Sequence, residues 1–224
     1  MRSCQFHLAL ALGLLVAACA ISAIPAVDMH VSQCFFDAQH NPPWVLTHEP
    51  WVQELYRYGP IPAWIMAIGA AVAFFVKQWQ SQRRRFLILV LAVLLGPGLI
   101  VNWTLKPLWG RARPVDTVQF GGEHPYQAWY QPAGPTSDVG HSFVSGHVSM
   151  AFVLIAGGLV LPKRRRRWRY TIVTAAVLYG LLMAAARMAK GAHWPSDVMI
   201  AAALTYLVIA VLLTLLPIHE QPDA

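Results

Sequence analysis

Arg187-Met-Ala-Lys-Gly-Ala-His-Trp-Pro-Ser-Asp197 lies between two long apolar runs, about Tyr170–Ala186 before it and Val198–Leu216 after it. Charge beside hydrocarbon is costly, so Arg187, Lys190, His193 and Asp197 gathered at the end of a membrane-length segment mark a functional site. His193 and Asp197 are four residues apart. On a helix running from about His193 onward they share a face. A carboxylate there accepts the proton of one imidazole nitrogen and leaves the other free to attack or to bind. Beside the fixed cations Arg187 and Lys190, such a histidine suits an anionic, tetrahedral substrate, a phosphate ester. The same residues also fit a structural ion pair at a helix end, or a metal pair. A metal site asks for more ligands at close spacing, and only His124 and His141 stand nearby as candidates.

Composition sets the surroundings of that stretch. Of 224 residues, 57% are hydrophobic and 12% charged, and the mean hydropathy is +0.47. That is too apolar for an ordinary soluble domain, and the length suits one membrane domain spanning 1–224. The formal net charge is +7, and its placement matters more than its size. Lys77 and Arg83–Arg85 form one basic cluster, and Lys163–Arg167 with Arg169 another. Both are short and wedged between apolar runs, which leaves no domain to present nucleic acid. They read as cytoplasmic loops obeying the positive-inside rule. Cys4, Cys19 and Cys34 have no metal or redox spacing.

Apolar runs place about six transmembrane helices in an all-α polytopic protein. The first is Leu8–Val27, read as a retained span rather than a cleaved leader because the apolar run continues past the small residues around Ala18–Ala20. The others are about Ile61–Val76, Phe86–Leu105 (bent at Gly96-Pro97-Gly98), His147–Leu161, Tyr170–Ala186 and Val198–Leu216. Residues 28–60 read as a polar, tryptophan-bearing loop with a short amphipathic helix near Trp51–Tyr58. With both basic clusters in the cytoplasm, six spans put both termini there too. Loops 28–60, 106–145 and 187–197 then share the opposite face.

Two further stretches fall on that face. In Lys106-Pro-Leu-Trp-Gly-Arg-Ala-Arg113-Pro114, lysine offers a compact charge and arginine a planar fork for two phosphate oxygens. Taken alone, it also reads as a basic patch at lipid headgroups. In His141-Ser-Phe-Val-Ser145-Gly146-His147, Ser145 can cap the following helix, and Gly146 lets backbone approach closely. Free N–H groups at that helix start attract an anion, and His147 sits where it can protonate a leaving oxygen. Taken alone, it also reads as a capped helix with a buried histidine.

In order, Lys106-x6-Arg113-Pro114, Ser145-Gly146-His147 and Arg187-x5-His193-x3-Asp197 resemble the three-part signature of the type 2 phosphatidic acid phosphatase superfamily. That family shares its core with bacterial acid phosphatases and vanadium haloperoxidases. The motifs, all within 106–197, cover roughly half the chain, and the span layout extends the likeness to the rest. Two positions depart from the pattern: Val144 stands where proline is usual, and Ala186 where serine is common. The resemblance implies His193 as nucleophile through a phosphohistidine, Asp197 orienting it, and His147 as proton donor and then base. It implies Lys106, Arg113, Ser145, Gly146 and Arg187 as ligands of the phosphate oxygens, with no metal and no cofactor.

The expected activity is hydrolysis of a phosphate from an envelope lipid headgroup at a bacterial inner membrane, with the site facing the periplasm or exterior. Phe120-Gly121-Gly122 and the Ser142–His147 context look most like the lipid A phosphatase branch. Undecaprenyl diphosphate, phosphatidylglycerol phosphate and phosphatidate are the other candidates. The expected partners are the phosphorylated lipid and the bilayer, with no nucleic acid and no obligate protein. Two rival readings are phosphotransfer between lipids and a non-catalytic lipid-binding or transport protein. Arg111 and Lys190 read either as an extension of the charge field toward a second anionic group or as rim charges.

Overall fold

A computed structural model of the chain describes residues 2–135 and 140–218. Residues 136–139 of the long loop, and the tail from His219, lie outside the described residues. The described chain is helical, with no strand beyond two isolated bridges. Ten α-helices run in order as α1 (Arg2–Ser22), α2 (Pro25–Gln33), α3 (Pro50–Tyr58), α4 (Ile61–Phe75), α5 (Arg83–Val93), α6 (Lys106–Trp109), α7 (Gly146–Phe152), α8 (Ile155–Leu159), α9 (Arg166–Ala189) and α10 (Pro195–Leu215). A π-helical stretch, Leu94–Leu105, joins α5 to α6.

Among the described residues, five helical segments are long and apolar enough to cross a membrane: Cys4–Ser22, Pro50–Phe75, Lys77–Asp116, Lys163–Ala189 and Pro195–Leu215. At 1.5 Å per residue, 21 residues of α10 reach about 32 Å, the thickness of the hydrocarbon core. The sixth expected span, about His147–Leu161, is instead two short helices, α7 and α8, broken at Val153–Leu154. Val148, Ala151, Val153 and Ala156 in this pair are fully buried. Protein surrounds it, so its length need not match the bilayer.

The first apolar run also divides differently from the sequence reading. Pro25 has no N–H to give α1, so the chain breaks at Ala23-Ile24 and restarts with Pro25 in the first turn of α2. Asp28 thereby lies on a helix, not in a loop. The amphipathic helix expected near Trp51–Tyr58 is α3. Pro97 likewise removes a donor from the third span and widens it into the π stretch. There Asn102 Nδ2 donates to the Pro97 carbonyl at 2.6 Å. The Asn102 side chain occupies the space where a Cβ on Gly146 would fall, 2.6 Å away, so α7 can begin against it only with glycine.

The two ends of the bundle differ. At one, Gln82 and Arg85 face Arg164 and Arg165 across a cleft of about 330 Å³. The chain ends lie there too: Cys4 Sγ donates to the Leu213 carbonyl at 3.3 Å, and Arg84 Nη1 to the Pro217 carbonyl at 3.0 Å. At the other end gather α2, α3, α6 and the start of α10. Trp44, Phe120 and Trp194 form an aromatic cluster there with Phe36 and Tyr126. The basic clusters and the functional motifs therefore occupy opposite ends.

Cys34 is exposed at the C-terminal end of α2. In a variant with Cys4 and Cys19 changed to serine, a membrane-impermeant maleimide should label Cys34 in intact cells. Arg164→Cys should be labelled only after permeabilisation. Labelling of both positions before permeabilisation would contradict the two-ended arrangement.

Candidate active site

His193 lies in the short turn between α9 and α10 and is 2% exposed. It is not on the helix with Asp197, as the four-residue spacing suggested. Pro195 opens α10, and Trp194 before it is extended at φ −74°, ψ 154°, as a residue preceding proline prefers. The turn closes differently: Asp197 Oδ2 accepts the Trp194 backbone N–H at 2.9 Å. His193 Nδ1 lies 2.7 Å from the Ser142 carbonyl oxygen and 3.7 Å from Asp197 Oδ2. A carbonyl only accepts, so Nδ1 carries the proton and Nε2 presents its lone pair. Burial holds the imidazole well below the usual histidine range, at about 4, against the pull of Asp197 and with repulsion from Arg187 and Lys106. His193 is thus neutral at physiological pH, the form a nucleophile needs.

Asp197 is fully buried and saturated. Besides Trp194, its Oδ2 accepts the Ser142 hydroxyl. Its Oδ1 accepts Arg111 Nη1 at 2.6 Å. Arg111, 1% exposed, spends every group of its fork on protein. Nη1 also reaches Ser196 Oγ at 2.7 Å, Nε donates to the Gln127 carbonyl at 2.9 Å, and Nη2 donates to Asp28 Oδ2 at 2.7 Å. Asp28, fully buried, further accepts the Ser196 N–H at 2.9 Å, its hydroxyl at 2.8 Å and the Tyr126 hydroxyl at 3.0 Å. Neither sequence reading of Arg111 fits: it is neither free for a second anion nor a rim charge. It is the buried cation between two carboxylates. Sequence reasoning placed Asp28 in a polar loop and gave it no role. The signal was present, since Asp28 is an acid directly after an apolar span, the cost that singled out Arg187–Asp197.

The remaining motif residues converge from separate elements. Gly110, at φ 62°, ends α6 in the left-handed conformation and turns the chain between Lys106 and Arg111. Lys106 and Arg113 act electrostatically on one another and on Arg187, which ends α9. Arg187 is 6% exposed, and its Nε and Nη1 have no partner among the described residues. Ser145 stands at the N-cap of α7, but its side chain makes no capping bond. Its Oγ is buried and also unpartnered. The Ser145 N–H donates to the Asp197 carbonyl at 3.3 Å, tying α7 to α10. Buried polar groups are seldom left unsatisfied. A buried hydroxyl and two guanidinium nitrogens without partners among the described residues suit a multi-oxygen anion.

His147 completes the cluster. Its ring stacks on Tyr56 of α3 with centroids 5.4 Å apart, and its Nε2 donates to the Tyr56 carbonyl at 3.1 Å. Arg187 Cζ and Lys190 Nζ lie 5.0 and 4.3 Å from the same ring's centroid. Burial lowers the Lys190 pKa, with Arg187 adding repulsion. Tyr56 had no role in the sequence reading, which took α3 for a short amphipathic helix in a polar loop. Of the two departures from the motif pattern, Val144 is fully buried, and Ala186 packs with Val52 and Ala189 in an apolar cluster. A serine hydroxyl at 186 would enter that apolar contact.

A sequence profile described as the PAP2 superfamily matches residues 85–219, which holds all three motifs. Three curated relatives carry the name lipid A 4'-phosphatase. The protein of Francisella tularensis subsp. novicida is 32% identical over 136 residues, 60% of this chain and 60% of its own length. That of Rhizobium etli is 39% identical over 125 residues, covering 55% and 47% respectively. That of Rhizobium leguminosarum is 37% identical over 123 residues, covering 55% and 51%. The chain spans about half of the curated relatives it matches. No solved structure matches it.

Two measurements check this geometry. Arg111→Met leaves Asp28 and Asp197 buried without their cation and should cost about 3–5 kcal/mol of stability in detergent unfolding. An unchanged midpoint would refute the clamp. Imidazole ¹⁵N shifts of His193 should remain those of the neutral Nδ1–H form down to pH 5, and a titration centred near 6.5 would contradict the assignment. The unfolded chain binds that proton with ordinary affinity near pH 6.5. The stability from a buried neutral His193 is therefore full above about 6.5 and is lost as pH falls toward 4.

Proposed function

Because the chain belongs to the PAP2 superfamily, we propose that it is a membrane phosphatase that hydrolyses a phosphate from an envelope lipid headgroup, with lipid A as the favoured substrate. One observation carries the reading. A neutral, buried His193 with its Nε2 lone pair free feels the charges of Arg187 and Lys106, and Arg187 Nε and Nη1 and the Ser145 hydroxyl are buried without partners among the described residues. The relatives named lipid A 4'-phosphatase favour that lipid over undecaprenyl diphosphate, phosphatidylglycerol phosphate or phosphatidate. The two-ended bundle supports a bacterial inner-membrane protein with its basic end and both termini in the cytoplasm.

In this mechanism His193 Nε2 attacks phosphorus, the bond to the leaving oxygen breaks, and the phosphoryl group passes to the imidazole. The ring becomes cationic, and its charge is held by the Ser142 carbonyl and Asp197. Lys106, Arg113, Arg187 and Ser145 hold the equatorial oxygens, where charge spreads in the transition state. His147 protonates the leaving oxygen and then takes a proton from the water that releases phosphate. Its Nε2–H donates to the Tyr56 carbonyl, so α3 must yield that bond for the transfer. Asp28 acts at one remove: it balances Arg111, which fixes Asp197.

The test is inorganic phosphate release by purified protein in detergent with EDTA, offered lipid A, undecaprenyl diphosphate, phosphatidylglycerol phosphate and phosphatidate. Release from lipid A, lost in His193→Ala, is expected. Transfer of phosphate to a second lipid without free phosphate would establish a phosphotransferase instead. Activity of His193→Ala equal to that of the unchanged protein would sink the mechanism. Arg187→Gln should lower kcat by about 10²–10³. Asp28→Asn should lower kcat with little change in KM, because it shifts the support of the nucleophile and not the phosphate ligands. A change confined to KM would place Asp28 outside this chain of contacts.

A further inference from the structure

We propose that Tyr56 of α3 is a positioning residue for His147: its ring and its carbonyl hold the imidazole so that Nε2 presents its proton to the leaving oxygen. The proposal rests on the phosphatase reading, in which His147 is the proton donor. Two contacts join the pair. The Tyr56 carbonyl accepts His147 Nε2–H at 3.1 Å. A carbonyl only accepts, so this bond keeps a proton on Nε2, the nitrogen that takes the donor role. The two rings lie at 15° to one another with centroids 5.4 Å apart, an offset stack. The hydrogen bond sets which nitrogen carries the proton, and the stack sets the plane in which it points.

α3 can hold His147 only if it is itself held, and α9 holds it. Val52 is fully buried against Ala186 and Ala189, and Leu55 packs on the same cluster. At the C-terminal end of α3 the Gly59 carbonyl accepts the Tyr179 hydroxyl at 2.9 Å. Nearer its start, Gln53 Nε2 donates to the Thr47 carbonyl at 2.6 Å. Val52, Leu55, Tyr56 and Gly59 follow the i, i+3, i+4, i+7 spacing of one helix face. The face that docks on α9 therefore also delivers Tyr56 to His147.

The same ring meets two cations of the site. Arg187 Cζ lies 5.0 Å and Lys190 Nζ 4.3 Å from its centroid, within cation–π range. Tyr56 thus fixes the proton donor relative to Arg187, a proposed ligand of the phosphate. That spacing matters, because a misplacement of about 1 Å can cost about 10²-fold in rate. Trp51 and Tyr58 are exposed on the same helix, as interfacial anchors are. Tyr56 is exposed too, but its ring and backbone make the contacts to His147. Tyr56→Phe keeps all of these contacts, whereas Tyr56→Leu keeps only the carbonyl.

Phosphate release by purified protein in detergent, from the lipid that the protein cleaves, gives kcat and KM for Tyr56→Leu, Tyr56→Phe, His147→Ala and the double variant Tyr56→Leu/His147→Ala. Tyr56→Leu should lower kcat by about tenfold with little change in KM, and Tyr56→Phe should rescue it. In the His147→Ala background Tyr56→Leu should have no further effect, because the ring acts through the imidazole. Trp51→Leu, on the same helix, should leave kcat unchanged. Full activity of Tyr56→Leu, a loss that adds to that of His147→Ala, or an equal loss in Trp51→Leu overturns the proposal. Imidazole ¹⁵N–¹H NMR reads the same contact without turnover. The His147 Nε2–H signal should be present in the unchanged protein and in Tyr56→Phe, and lost to exchange with water in Tyr56→Leu. Its persistence in Tyr56→Leu overturns the proposal whether or not a lipid is hydrolysed, whereas absence of phosphate release by the unchanged protein counts against the phosphatase reading.

Discussion

One guanidinium between two buried carboxylates holds the functional end of this bundle together. Arg111 joins Asp28 of α2 to Asp197 of α10, and all three are at most 1% exposed. Burying an ion pair is costly, and removing one member costs more than the pair contributes. Such a cluster persists when every lone pair and proton is met, and here Ser142, Ser196, Tyr126, Trp194 and the Gln127 carbonyl supply the missing partners. The sum of the three charges is negative by one unit, which suits a neighbour that becomes cationic, as the proposed phosphohistidine of His193 would.

Satisfied and unsatisfied groups divide the site cleanly. The groups behind His193 are paired. On the proposed phosphate side, Arg187 Nε and Nη1 and Ser145 Oγ are buried without partners among the described residues. This asymmetry is what a pre-organised anion site requires: rigid support behind, unspent donors in front. Tyr56 is the contact between this site and α3, since its ring meets His147, Arg187 and Lys190 together. A segment that borders two proposed phosphate-handling residues and the helix entry to α4 is placed to respond to a large headgroup.

The polarity of the bundle follows from where its charges can reside. Basic residues collect at one end, around the cleft between Arg85 and Arg164–Arg165. At the other end Arg111 is buried between two carboxylates and Arg187 is buried at the end of α9. Short α7 and α8, packed against α9 and α10, carry the chain from His147 at the site toward the basic end.

The sequence by itself determined the fold class and the family. Apolar runs of bilayer length can only be helices, because every backbone group must be satisfied internally. Ile61–Val76 and Val198–Leu216 accordingly match α4 and α10 closely. Because hydrocarbon penalises charge, the stretch holding Arg187, His193 and Asp197 stood out as a candidate site, and the ordered motifs of the family resemblance added Lys106, Arg113 and His147. The partnerships were decided by tertiary structure alone. Nothing in residue spacing places Asp28 against Arg111, 83 positions away, or gives the His193 proton to a backbone carbonyl at Ser142. Nor does hydropathy reveal that the fourth apolar run is enclosed by protein and broken. Hydropathy and spacing report what each segment must do for itself. Which buried charge meets which depends on chain distances that only packing can close.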